Sequence, residues 1–97
     1  MATIHATVRP EFNLGRCCIT PGAQTLLEEQ GVTPLSLLHR HVTGDWGDLS
    51  EEDKSANTNA LAFGQRLLSC YELAGGKVYV ITEWDRSATT ILLPSEY

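Results

Sequence analysis

Residues 66–93 read RLLSCYELAGGKVYVITEWDRSATTILL, and this stretch decides the fold. It contains three segments rich in Val, Ile, Leu, Tyr and Thr, which are typical of β-strands. The segments are Arg66 to Leu73, Lys77 to Trp84 and Thr89 to Leu93. Turn sequences separate them, Ala74-Gly75-Gly76 and Asp85-Arg86-Ser87-Ala88, and Pro94 ends the last one. We therefore predict an antiparallel meander.

Three helix starts precede these strands. Thr20-Pro21 and Thr33-Pro34 each combine an N-cap residue with proline at the first helical position, and Ser50-Glu51-Glu52-Asp53 is a capping box. The predicted helices run from Pro21 to Gln30, from Leu35 to Val42, and from Ser50 to about Gly64. Their predicted core faces are Ala23, Leu26 and Leu27, then Leu35, Leu38 and Val42, and then Ala56, Ala60 and Phe63.

Helices followed by strands indicate an α+β domain, in which three helices pack on a three- to four-stranded antiparallel sheet. A weaker strand, Leu14 to Thr20, is predicted to add to one edge. Because alternate residues of a strand face opposite sides, one of Cys17 and Cys18 should lie in the core, and Cys70 should be buried. We therefore expect residues 1–97 to form one domain, in which residues 1–13 are a candidate flexible N-terminal arm.

The composition excludes several classes of protein. The 97 residues are 42% hydrophobic and carry seven Lys and Arg against twelve Asp and Glu, a net charge of −5. An acidic chain with dispersed basic residues is a poor phosphate binder, so direct nucleic-acid binding is not expected. No apolar run predicts a signal peptide or a membrane span, and three cysteines that include an adjacent pair favour a reducing, cytoplasmic setting.

Two polar segments are candidates for a functional site. In the first, residues 39–48, the side chains of His39 and His41 are accompanied by Asp45, Trp46 and Asp48. The two histidines point about 200° apart on a helix and therefore do not chelate one metal ion. The structural alternative is that the two histidines flank a helix end while the acidic side chains cap a turn.

The second segment is residues 82–90, where Glu83, Asp85, Arg86 and Thr89 lie between two apolar strands. Loops on a rigid sheet are where binding groups concentrate. Ordinary turn chemistry is the alternative for these side chains. If the two segments converge, Asp45, Trp46, Asp48, Glu83, Asp85, Arg86 and Thr89 make one site; if they do not, each segment is a structural loop.

Acidic residues crowd into one short part of the chain. Glu51, Glu52 and Asp53 follow Asp45 and Asp48. They complement the positive end of a helix dipole, and as an acidic patch they also suit a basic protein partner. No sequence motif indicates a metal site, a cofactor or a nucleotide-binding loop, so no metal and no cofactor are expected.

Arg40 to Leu49, RHVTGDWGDL, and Ile81 to Tyr97, ITEWDRSATTILLPSEY, resemble a family of small uncharacterised bacterial proteins carried on plasmids and other mobile elements. Members are often labelled "plasmid-related protein" and sometimes "type I restriction subunit M". The resemblance spans about Cys17 to Tyr97 and implies a mobile-element context without a settled activity. The methyltransferase label does not fit, because the chain lacks the glycine motif of a doubly wound cofactor-binding sheet.

These observations lead to one main hypothesis and two alternatives. The main hypothesis is a non-enzymatic accessory or interaction protein of a mobile genetic element, which engages a basic protein through its acidic patch. The sequence is also compatible with a homo-oligomer. One alternative is a small ribonuclease or hydrolase that uses His39 or His41 with Glu83 and Arg86. The other is a small-ligand-binding module with an aromatic pocket formed by Trp46, Tyr79 and Trp84.

Overall fold

A computed structural model describes residues 10–97. It contains three α-helices, four β-strands and a final 3-10 turn. In chain order these are β1 (Arg16–Ile19), α1 (Pro21–Gln30), α2 (Pro34–Val42), α3 (Glu51–Phe63), β2 (Leu67–Leu73), β3 (Gly76–Thr82), β4 (Ala88–Leu92) and the 3-10 turn Pro94–Glu96. The predicted α+β class is confirmed.

All three helices start where their capping residues predicted. The side chains of Thr20, Thr33 and Ser50 each accept a hydrogen bond from a backbone N–H in the first turn. Gly31 and Gly64 end α1 and α3 in the left-handed conformation that glycine adopts readily. Local capping chemistry therefore sets these helix boundaries.

The sheet has the order β1-β4-β3-β2. The meander is confirmed, since β2 pairs antiparallel with β3, and β3 with β4. The prediction of an entirely antiparallel sheet is wrong at one edge, because β1 runs parallel to β4, with Cys17 opposite Thr89 and Ile19 opposite Ile91. Since β1 is joined to the meander only through three helices, no hairpin turn requires it to run antiparallel to β4.

The main core lies between one face of the sheet and the first two helices. Helix α1 contributes Ala23, Leu26 and Leu27, and α2 contributes Leu37. They pack against side chains from three strands: Tyr71, Val78, Val80 and Ile91. A smaller cluster joins Ala60 of α3 with Leu67 and Trp46. Helix α3 therefore lies beside β2, while α1 and α2 cover the sheet.

Two predicted core faces are wrong in part. Leu35 of α2 is 75% exposed, and the helix instead buries Leu37 and His41. Phe63 of α3 is also 75% exposed and Ala56 is exposed, whereas Asn57 and Ala60 are buried. In both helices a polar side chain with distant hydrogen-bond partners occupies a core position, so the hydrophobic pattern points to the wrong face.

The cysteines and the N-terminal segment also differ from expectation. Cys17 and Cys18 are both exposed, because β1 is a partly uncovered edge strand, while Cys70 is buried as predicted. Of the predicted arm, residues 10–13 are attached to the fold: the N–H of Glu11 donates to the carbonyl of Val42, and Phe12 packs beside Trp46. Residues 1–9 lie outside the described residues.

Candidate functional site

A chain of buried polar side chains runs from α2 across the sheet. His41 Nδ1 lies 2.6 Å from Ser69 Oγ, and His41 Nε2 lies 2.9 Å from Thr82 Oγ1. Thr82 Oγ1 is 2.7 Å from Thr89 Oγ1, which donates to the carbonyl of Leu14 at 2.7 Å. The side chains of all four members are closed off from solvent. Three strands and one helix are thereby joined by a single hydrogen-bonded chain.

The carbonyl at one end fixes the direction of the hydrogen bonds from Leu14 to His41. Because Leu14 offers only an acceptor, the Thr89 hydroxyl donates to it and accepts from Thr82. The Thr82 oxygen then accepts from His41 Nε2–H. His41 therefore carries a proton on Nε2, and in the neutral ring Nδ1 is the acceptor that faces Ser69.

Burial keeps this imidazole neutral. Desolvation, together with the positive charge of Arg86, lowers the pKa of His41 to about 4. The hydroxyl of Ser69 resembles the partner of a catalytic histidine, but it is fully buried and no substrate reaches it. His39 lies on the exposed side of the same helix. The pair His41 and Ser69 accordingly holds the fold together and provides no accessible nucleophile.

Aromatic rings cover the open side of His41. Phe12 meets it edge-on with ring centroids 5.2 Å apart, and Trp46 does so at 5.8 Å. Phe12 and Trp46 stack with centroids 6.2 Å apart. Trp46, a residue predicted for the site, is therefore 7% exposed and part of the core.

Arg86 secures the end of α3 to the β3–β4 turn. Its Nη1 donates to the carbonyls of Gln65 and Glu83 at 2.6 and 3.0 Å, and its Nη2 donates to Ala60 at 3.3 Å. A cation at the carboxyl end of a helix is favourable for the helix dipole. The residue adopts φ of 60°, which is uncommon outside glycine. With its donors committed to backbone carbonyls, the guanidinium is a structural cap.

We expect Arg86→Ala to lower the free energy of unfolding by about 2–3 kcal/mol, because charge-assisted hydrogen bonds are lost at a helix end. Arg86→Gly should be less damaging than Arg86→Ala by about 1 kcal/mol, since glycine tolerates the left-handed backbone. Urea unfolding of the two variants measures both effects. If Arg86→Ala matches the native protein in stability, the guanidinium is free for another role.

The other predicted site residues of the second segment make separate structural contacts. Glu83 pairs with Arg66 at 3.8 Å. Asp85 accepts from the N–H of Ser87 at 3.1 Å, and its hydrogen bonds to Ser87 lower the pKa of its carboxyl. Thr89 belongs to the buried chain. Turn chemistry thus accounts for Asp85.

The acids of the first segment hold the loop before α3, and Asp48 attaches it near the end of β2. Asp45 accepts from Arg40 at 2.7 Å, which holds the pKa of its carboxyl low, and from the N–H of Gly47 at 3.1 Å. Asp48 accepts from the N–H of Glu72 at 2.8 Å. The two carboxylates therefore arrange the loop before α3 along the outer side of the sheet.

The outer edge of β2 is closed by this loop and by α3. Asn57 donates to the carbonyl of Leu68 at 2.6 Å and accepts from its N–H at 3.1 Å. Two residues further, Cys70 bonds to the backbone of Trp46 and Asp48. The role of Asn57 is not evident from the sequence. The only sequence signal is an asparagine, a poor helix former, within an otherwise helical segment.

The two predicted segments meet only in part. Trp46, Arg86 and Thr89 come together around Phe12 and His41, in contact with the buried chain or its aromatic cover. The carboxylates do not join them: Asp45 and Asp48 lie along β2, and Asp85 lies in the β3–β4 turn. The convergent residues are thus a structural cluster.

The proposed aromatic pocket is also divided. Trp46 is buried beside His41, whereas Trp84 is 66% exposed. Tyr79 lies on the sheet face opposite the helices, where it packs edge-on against Tyr97 with centroids 6.0 Å apart. These three rings do not line a common cavity.

A surface groove lies between the start of α3 and the sheet face opposite α1 and α2. Its volume is about 470 Å³. Its lining residues are Asp48, Leu49, Ser50, Asp53, Ala56, Asn57, Leu68, Cys70, Lys77 and Tyr79. We call it the acidic groove. Asp48 and Asp53 line it, and Glu51 and Glu52 precede Asp53 in the first turn of α3; these four exposed residues are its acidic rim. It unites the predicted acidic patch with apolar side chains that sequence analysis had assigned to strands alone.

Within residues 10–97, two other kinds of feature are absent. No cluster of three or more His, Cys, Asp or Glu side chains is placed to hold a metal ion. No helix there is long and apolar enough to cross a bilayer. Comparisons with family models, with curated proteins and with solved structures find no significant match to the chain.

Proposed function

We propose that this chain is a non-enzymatic interaction protein of a mobile genetic element, and that it binds a basic segment of a protein partner in the acidic groove. The observation that carries the proposal is the combination of an apolar floor with an acidic rim in one concave surface. The mobile-element context comes from the resemblance to plasmid-carried proteins.

The floor of the groove provides apolar contact. Leu49, Leu68 and Tyr79 are half-buried, so part of each side chain stays available to a ligand. A volume of about 470 Å³ falls within the range of common ligand sites and suits a few side chains of a peptide. Burying such surface contributes about 25 cal/mol per Å² of apolar area.

The rim provides charge complementarity. Glu51, Glu52 and Asp53 are exposed in the first turn of α3, and only Glu51 is paired with a lysine, Lys54, at 3.4 Å. Among residues 10–97, Lys77 is the one basic residue that lines the groove. A surface with this excess of carboxylates steers cationic ligands toward it and rejects anionic ones.

The state of the reactive side chains favours binding over catalysis. His41 is buried and neutral, and the guanidinium of Arg86 is committed to backbone carbonyls. Burial also raises the pKa of the Cys70 thiol, which lines the groove, so this cysteine stays protonated and unreactive. Of the two histidines in the hydrolase hypothesis, His41 is therefore not available as a base, and His39 is exposed on the other side of α2.

A synthetic decapeptide of alternating Lys and Leu tests the proposal, with affinity measured by calorimetry. We expect Glu52→Gln/Asp53→Asn to bind it about 5- to 10-fold more weakly, since the carboxylate of Asp53 that lines the groove and the adjacent one of Glu52 are lost. The matched control is Glu28→Gln/Glu29→Gln on α1, which removes the same charge from exposed positions that do not line the groove. That control should keep the native affinity.

Equal affinity of the two double variants for the peptide would show that only overall charge matters, and would overturn the acidic groove as the binding surface. Absence of peptide binding to the native protein at low salt would also overturn the acidic groove as the binding surface. Circular dichroism of α3 in Glu52→Gln/Asp53→Asn checks that the helix still forms, since Ser50 caps it through the backbone N–H of Asp53.

A further inference from the structure

The two edges of the sheet differ in whether their backbone groups are occupied. At β2, Asn57 bonds to Leu68, and the segment of Trp46 to Asp48 bonds to Cys70 and Glu72. At β1, the opposite edge, no backbone hydrogen bond from residues 10–97 reaches the outer side. Within the described chain, β1 is therefore the edge at which a strand can be added.

The pairing of β1 with β4 identifies the outward groups. The N–H of Arg16 donates to Ser87, and the N–H of Thr20 donates to Ile91. Since the hydrogen-bonding direction alternates along a strand, residues 16, 18 and 20 face β4. The N–H and C=O groups of Cys17 and Ile19 therefore point away from the sheet.

Strand β1 has only one of the charged residues that usually guard an edge, Arg16 at its first position. Its sequence, Arg-Cys-Cys-Ile, contains neither lysine nor proline, and no bulge interrupts its pairing with β4. Cys17 and Cys18 are exposed. From Cys17 to Ile19 the strand carries no charge against the approach of another strand.

We propose that β1 pairs antiparallel with β1 of a second copy of this chain, with Cys18 on the two-fold axis. In this register Cys17 lies opposite Ile19 of the second copy, so the outward N–H and C=O groups of each meet their complements. Arg16 lies opposite Thr20, and no like charges face each other. The strand is thus self-complementary.

Charge supports the same partner. The acidic rim lies at the β2 edge, three strand spacings or roughly 14 Å from β1. Pairing through β1 places the two acidic rims at opposite ends of the joined sheet, where their repulsion is screened over more than a Debye length. The contact is short, so we expect a reversible dimer that a covalent trap reveals.

The register makes a specific statement about the two exposed cysteines. Cys18 faces Cys18 of the second copy at a pair that is not hydrogen-bonded, where Cα atoms are about 4.5 Å apart, within the range of disulfides. Cys17 and Cys17 of the second copy are diagonal neighbours about 7–8 Å apart, which is too far. Only Cys18 should cross-link.

Diamide tests this in single-cysteine variants of the exposed pair. Two Cys18 thiols release two protons and two electrons as their sulfur atoms bond, and the azo group of diamide takes both up and becomes a hydrazine. We expect Cys17→Ser to form a covalent dimer on non-reducing gels and Cys18→Ser to form at least 10-fold less. Because Cys17 is exposed too, Cys18→Ser also measures random collision.

A second pair of variants tests the hydrogen bonds. Cys17→Pro removes an outward N–H that β4 does not use, whereas Cys17→Ser keeps it. We expect Cys17→Pro to cross-link through Cys18 at least 5-fold more slowly than Cys17→Ser. Equal cross-linking through Cys17 and Cys18, or no cross-linking of Cys17→Ser at millimolar protein, would overturn the proposal and leave the edge to another segment or partner.

Discussion

Acidification from pH 7 to pH 4.5 should lower the free energy of unfolding by roughly 2–3 kcal/mol through His41 alone. The folded pKa of this imidazole is about 4 because desolvation opposes its charge, whereas an unfolded histidine titrates near 6.5. Between these values the unfolded chain binds a proton that the folded chain does not. Stability is therefore complete above pH 6.5 and is lost as the pH falls toward 4.

Urea unfolding at intervals between pH 7 and pH 4.5 measures this loss. Carboxylates with lowered pKa values, such as Asp45, lose their contribution to stability only below this pH window. The variant His41→Gln keeps a hydrogen-bonding side chain without a titrating ring, and its stability should be nearly flat over the same range. It also controls for the exposed His39.

Proton NMR of the imidazole gives a direct check that needs no variant. The ring protons of His41 should show no titration above pH 5, and exchange of its Nε2–H should be slow. A folded pKa near 6.5 would contradict both the predicted loss and the assignment of His41 as a neutral member of the buried chain.

Asn57→Ala should lower the free energy of unfolding by about 2–4 kcal/mol. The side chain satisfies both the N–H and the C=O of Leu68, and its loss leaves two backbone groups in a partly buried position without their partners. Alanine favours the helix more than asparagine does, which offsets roughly 0.5 kcal/mol of this cost.

Asn59→Ala is the matched control, because Asn59 is exposed on the same helix. It should be neutral or slightly stabilising in the same urea measurement. Hydrogen exchange at the Leu68 N–H locates the effect, since this amide should lose protection in Asn57→Ala and keep it in Asn59→Ala. Equal stability of the two variants would show that water replaces the Asn57 side chain without cost.

The features that sequence predicted well depend on neighbouring residues. Thr20-Pro21, Thr33-Pro34 and Ser50 mark helix starts through hydrogen bonds that span three residues, and all three helices begin there. The same holds for the strands of the meander, whose turns are short. Such signals need no knowledge of the rest of the chain.

The buried faces of α2 and α3 were harder to predict because two polar residues occupy core positions. His41 is buried because its partners Ser69 and Thr82 lie 28 and 41 residues away. Asn57 is buried because it pairs with the backbone of Leu68. Hydrophobic periodicity assigns such residues to the surface, since it takes no account of distant partners.

The candidate site shows the same limit. Sequence analysis singled out Trp46, Arg86 and Thr89 by their chemistry, and the structure brings them together, but around a buried histidine. The acidic residues of the first turn of α3 were recognised as a patch. That they border a groove follows only from the placement of α3 beside β2, which no local pattern encodes.

The closure of β2 by Asn57 and Asp48 determines how the protein behaves when it is crowded. A sheet that is open at both edges propagates by repeated strand addition and grows into a fibril. With one edge sealed from within its own chain, growth stops after a single step at β1. A helix asparagine and a loop aspartate thereby block strand addition at β2, so a chain that pairs through β1 ends as a dimer.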